Sequence, residues 1–165
     1  MSLVLEKSWS NVDEVVASDA SLVAGGAYTD ECYFSVEFPD SFSDSPIHIK
    51  EFVTLLIAVK LWGESWSKKR ILIHCDNMAV CLSINNQNPK DDDLQECLRE
   101  LIYWESLYSF KIGAIYIETK KNHLADFMSR STKSSEHREY FKNCGIALKS
   151  RIPVPASMFV FENNW

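Results

Sequence analysis

Val15-Val16-Ala17-Ser18-Asp19 is an apolar, β-branched run that ends on a carboxylate. Its composition reads as a buried strand. A carboxylate at the tip of such a strand is costly unless something pairs it or binds it. Further along, Ile71-Leu72-Ile73-His74-Cys75-Asp76 repeats the arrangement. Two acidic strand tips in one chain point to a divalent-cation site.

Working outward, residues 12–18, 24–28 and 32–38 read as three strands, with Thr29-Asp30-Glu31 as the tight connection between the last two. Together they make an antiparallel meander. Residues 40–46 form a loop by composition. Residues 49–66 read as a helix whose Phe52, Leu55, Leu56, Val59 and Trp62 make a core-facing stripe. Glu51 falls on that stripe, with Leu55, Ala58 and Trp62 behind it. Either it is a carboxylate turned inward, or a first-turn glutamate favoured by the helix macrodipole.

After the strand ending at Asp76, residues 77–84 suit a short helix, broken at Asn85-Asn86-Gln87-Asn88-Pro89. Asp91-Asp92-Asp93 places acids at the start of a helix over 94–108, where they read as helix-start charges. Residues 111–118 form another strand, and 122–130 a last short helix with Asn122 as its cap. Strands joined through helices lie parallel, with right-handed crossovers. The expected fold class is therefore α/β. It has a five-stranded mixed sheet, three antiparallel strands plus two parallel ones, flanked by helices. Ligands gather at the carboxyl ends of parallel strands in such sheets, where Asp19 and Asp76 sit.

The 165 residues fit one domain. No apolar run approaches the roughly 20 residues that span a bilayer, and the start of the chain lacks a signal-peptide pattern. Five cysteines without a C-x-x-C pair read as free thiols in a reducing compartment, cytoplasmic or nuclear. The net charge of -6 argues against a generic nucleic-acid coat. Residues 111–151 nevertheless carry +5 and the remainder -11, which would give one basic edge on an acidic body.

Four blocks then carry a family resemblance: Ser18-Asp19-Ala20-Ser21 with Gly25-Gly26-Ala27, His48-Ile49-Lys50-Glu51, Cys75-Asp76-Asn77, and Asn122-His123-Leu124-Ala125-Asp126-Phe127-Met128-Ser129-Arg130. In this order they resemble the ribonuclease H domain of retroelement polyproteins, of gypsy-like and DIRS type. The resemblance covers residues 12–130. It implies a ribonuclease H-like domain over 1–130, with 131–165 as a C-terminal extension, a linker or a docked tail. It also implies that Asp19, Glu51, Asp76 and Asp126 are catalytic carboxylates holding two Mg²⁺ ions, which Mn²⁺ can replace. The implied reaction is cleavage of the RNA strand of an RNA/DNA hybrid, leaving a 3′-hydroxyl and a 5′-phosphate, with a reverse transcriptase domain of the same polyprotein as partner. Spacing alone would turn Asp126 toward solvent, and its metal role rests on the motif.

Ser21, Gly25, Asn77, Asn85, Asn86, Lys120, Lys121, Asn122, His123 and Arg130 are candidates for substrate contact. Polar amides and hydroxyls can meet 2′-hydroxyls, and the cations can meet phosphates. Capping, turn formation and hairpin geometry explain several of these equally well. His123 is either a cap or the counterpart of a mobile histidine found in cellular members. Residues 116–122 lack the histidine and glycine of the DIRS-type loop. That keeps two other readings open: a catalytically inactive connection or interaction domain, and a nuclease or integrase of the same fold acting on DNA.

Overall fold

The computed structural model describes residues 11–118 and 150–162. Three strands open the chain: β1 (Glu14–Ala20), β2 (Ala24–Tyr28) and β3 (Cys32–Glu37). Helix α1 (Ile47–Trp62), strand β4 (Arg70–Cys75), helices α2 (Met78–Asn86) and α3 (Asp92–Tyr108) and strand β5 (Lys111–Tyr116) follow, then β6 (Ser150–Arg151). The sheet runs β5-β4-β1-β2-β3-β6. The β1–β2 and β2–β3 pairs are antiparallel, while β1–β4 and β4–β5 are parallel. The crossover through α1 thus sets β1 and β4 side by side with Val16 opposite Ile73, and both carboxyl ends open at one edge.

Among the described residues the sheet has six strands where five were expected. The sixth is a two-residue parallel pairing of Ser150 and Arg151 with Cys32 and Tyr33. So short a strand, next to Ile152-Pro153-Val154-Pro155, carries no periodicity for a sequence reading to find. The helix expected over 122–130 lies outside the described residues. Within them α1, α2 and α3 contact one another and share one core with Val16, Ile71, Ile73 and Cys75. On the alternate positions, Leu72, His74 and Ile115 are only half-buried.

Helix α1 departs from the expected single stripe. Every residue from Ile49 to Lys60 is buried, so the helix is enclosed on all sides. Its far end feeds an aromatic run in which Phe34, Trp62, Trp66 and Phe110 follow one another at centroid distances of 5.6, 6.4 and 5.4 Å. Such pairs add to the area that the rings bury.

Enclosure of α1 is completed by residues 150–162, the described part of the C-terminal extension. Phe159 packs edge-on against Phe38 at 6.2 Å and meets Phe42 at 5.6 Å. Beneath it, Lys60 and Glu100 form a buried ion pair of 3.5 Å, 3% and 0% exposed. The Lys60 ammonium donates to the Met158 and Val160 carbonyls at 3.0 and 2.7 Å. Glu100 accepts from the Glu162 backbone N–H and from the Trp104 indole. Burial pulls the Lys60 pKa down, and the Glu100 carboxylate pulls it back up. Each charge is therefore satisfied partly by its partner and partly by the backbone of the tail.

Removing one member of such a pair leaves the other charged and buried, at a cost of about 3–5 kcal/mol. Lys60→Met is expected to lower the unfolding free energy by that amount, read as a lower urea midpoint at unchanged m-value, and ending the chain after residue 149 to destabilise in the same direction. Lys60→Met within about 0.5 kcal/mol of wild type, the range of an ordinary surface change, would contradict the tail's place in the core.

Candidate metal centre

Asp19 lies next to the end of β1 and is 2% exposed. Its register partner is Gly26 on β2. Asp76 follows β4 directly and is half-buried. Glu51 comes from α1 and is 3% exposed. Since α1 begins at Ile47, after Pro46, Glu51 is its fifth residue and the first turn holds no acid. The macrodipole fades beyond the first turn, so the first-turn reading of Glu51 gives way to the inward-facing one.

The three carboxyl groups converge. Glu51 hydrogen-bonds to the Asp19 carboxyl and accepts from the Ala20 backbone N–H, while its Oε2 has no hydrogen-bond partner. Ligand atoms of Glu51, Cys75 and Asp76 all lie within 4.8 Å of one another. Burial, then the charges of Asp19 and Asp76, push the Glu51 carboxyl up to about 11. A carboxyl so placed keeps its proton at neutral pH unless a cation enters. Hard carboxylate oxygens are the donors that Mg²⁺ and Mn²⁺ take. An unpartnered buried oxygen between two further carboxyls fits such an ion.

Other expected site residues have structural partners. Asn77 caps α2, accepting from Val80 N at 3.1 Å. Asn85 clasps the backbone of Ala114 on edge strand β5, donating to its carbonyl at 2.7 Å and accepting from its N–H at 2.9 Å. Beside it, Glu105 accepts from Ile112 N at 3.2 Å. Together they cover an edge that would otherwise offer free pairing groups. Ser21 shapes the β1–β2 turn, its hydroxyl donating to Ala24 O and accepting from the N–H groups of Val23 and Ala24. Gly25 is buried against α1, where a methyl group would overlap the Thr54 hydroxyl, so packing accounts for the glycine. Asn86 is exposed at the end of α2. Asp91 caps α3 through Asp93 N and Leu94 N, as expected of a helix-start charge. His74 is half-buried, and burial lowers its imidazole pKa.

Asp126, with Lys120, Lys121, Asn122, His123 and Arg130, lies outside the described residues. Two neighbours of the site escaped the sequence reading. Lys50, 2% exposed, donates to the Leu22 carbonyl at 2.7 Å and pins the turn beyond Asp19. Cys75 alternates with Ile71 and Ile73 on the core side of β4, all fully buried. Only the position of each beside a candidate acid, in Lys50-Glu51 and Cys75-Asp76, hinted at either.

No family model and no curated protein matches the sequence. Solved structures do match the fold. LC11-RNase H1, solved in complex with an RNA/DNA hybrid, is similar with a TM-score of 0.58 at 13% identity, over 70% of this chain and 92% of that one. RNase H1 of the halophilic archaeon Halobacterium salinarum aligns at 0.51 and 15% identity, over 70% and 92%. The N-terminal RNase H domain of rv2228c from Mycobacterium tuberculosis aligns at 0.53 and 12%, over 70% and 94%. The chain therefore has the ribonuclease H fold.

The raised Glu51 pKa fixes the sign of a pH effect. In the unfolded chain this carboxyl ionises near pH 4.5, whereas in the fold it holds its proton to about pH 11. Between those limits the folded state binds more protons, and Glu51 makes stability fall as pH rises. Without divalent cations, Glu51→Gln is expected to be more stable than wild type at pH 8 by at least about 1 kcal/mol, roughly 2–4 °C in Tm. The gain should shrink toward pH 5. Calorimetric melts of both proteins check this, and a pH-independent difference would contradict it.

Proposed function

We propose that this chain is a Mg²⁺-dependent ribonuclease H that hydrolyses the RNA strand of RNA/DNA hybrids as part of a retroelement reverse transcriptase. The observation that supports this best is Glu51, buried between Asp19 and Asp76 with an oxygen left unpartnered, in the fold of RNase H1 enzymes. A connection domain without catalysis has no use for so costly a cluster.

In this reading Asp19, Glu51, Asp76 and Asp126 would hold two Mg²⁺ ions. Such a pair supplies a nucleophilic water and relieves charge on the leaving oxygen of a phosphodiester. The chain's own part is positioning. The parallel β1–β4 pair sets Asp19 and Asp76 at one sheet edge, and the enclosed α1 holds Glu51 from turning to solvent. Glu51 would release its proton to solvent on ligating the cation. Asp76, the half-buried member, faces the substrate side. The hybrid is read by backbone shape and 2′-hydroxyls. Lys120, Lys121 and Arg130 are candidates for its phosphates. The reverse transcriptase domain holds the hybrid and raises its effective concentration at this acidic domain.

Cleavage of a labelled RNA/DNA hybrid in Mg²⁺ is expected to give RNA fragments with 3′-hydroxyls and to spare duplex DNA. Asp76→Asn should lower kcat at least about a hundredfold, as losing a group that stabilises transition-state charge does. No cleavage at micromolar protein, or Asp76→Asn equal to wild type, would overturn the proposal. Cleavage of DNA with RNA spared would reassign the substrate.

A further inference from the structure

Cys75 brings a soft ligand into a hard site. Its thiol lies with the Glu51 and Asp76 carboxylates, ligand atoms within 4.8 Å of one another. A tetrahedral ion with sulfur at about 2.3 Å and oxygens at about 2.1 Å sets its ligand atoms roughly 3.6 Å apart. Closing the observed span takes side-chain movements of roughly an ångström, well within reach of a glutamate rotamer.

Three features separate this cysteine from an ordinary core thiol. Its thiol is held only by weak sulfur contacts, to the Cys81 thiol and to the Asn77 carbonyl at 4.0 Å. Cys81, one helix turn into α2, also donates to the Cys75 carbonyl at 3.8 Å. The Glu51 carboxyl in the same cluster is 3% exposed and has one oxygen without a partner. The cluster thus combines an unpartnered buried oxygen, a second carboxylate and a weakly engaged sulfur.

We infer that Glu51, Cys75 and Asp76 form a mixed thiolate–carboxylate site for a soft divalent cation of the Zn²⁺ or Cd²⁺ class. Such an ion shares Glu51 and Asp76 with Mg²⁺ and competes with it. Thiolate selects soft ions where carboxylate alone suits Mg²⁺. On binding, the S–H bond breaks, a sulfur–metal bond forms and the proton leaves to solvent. No electron changes hands. This inference rests on the reading of Glu51 and Asp76 as cation ligands, and does not require nuclease activity.

The test titrates Cd²⁺ alone into the metal-free full chain and follows the ultraviolet charge-transfer band of the cadmium–thiolate bond. One equivalent is expected to develop the band in wild type. Cys75→Ser should lose it, Glu51→Gln should weaken binding, Cys81→Ser should keep the band, and added Mg²⁺ should shift the titration to higher Cd²⁺. No band in wild type, or a band that survives Cys75→Ser, overturns the inference and makes Cys75 a small core side chain only. Calorimetric Mg²⁺ titration of the same preparation separates the two readings. Mg²⁺ binding without the cadmium band overturns the thiolate site and leaves the carboxylate site standing. The band without Mg²⁺ binding supports the thiolate site and overturns the Mg²⁺ reading.

Discussion

Glu51 sits with its carboxyl against that of Asp19, near Asp76, on a helix that solvent barely reaches. Ionised and alone, it would carry the cost of a buried charge beside two like charges. That constraint organises the rest of the domain. Enclosing α1 keeps Glu51 aimed at the sheet edge, and the parallel β1–β4 pair delivers the other two acids to the same place. A divalent cation bound beside Glu51 would relieve that like-charge cost.

Enclosure has its own cost, and the fold meets it at the opposite end of α1. Lys60 lies thirteen residues after Ile47 in the same helix, beside Glu100 of α3 and under the tail backbone. One helix therefore carries a like-charge cluster near its start and a neutralised pair near its end. The first is left open to a ligand. The second is closed by the chain itself, and this difference marks which end is the candidate site.

The strands and helices near the site were legible because their periodicities are strong and their ends carry acids. Asp19, Glu51 and Asp76 could be placed together from strand order and one helix stripe. The tail could not. The tail partners of Lys60 and Glu100 lie from 62 to 100 residues away in the chain, beyond the reach of any local pattern. Asn85 illustrates the converse: a polar residue beside a break looks available for substrate, yet its amide is spent on Ala114. Cys75 was invisible as a ligand because a core-facing position and a ligand position coincide at the last residue of β4. Asp126 rests on its motif alone.

Crystals soaked in Mn²⁺ show whether the acidic cluster is a cation site. An anomalous peak coordinated by carboxylate oxygens of Asp19, Glu51 and Asp76 is expected. Crystals saturated with Mn²⁺ that show no peak there, with Glu51 still bonded to Asp19, would contradict it.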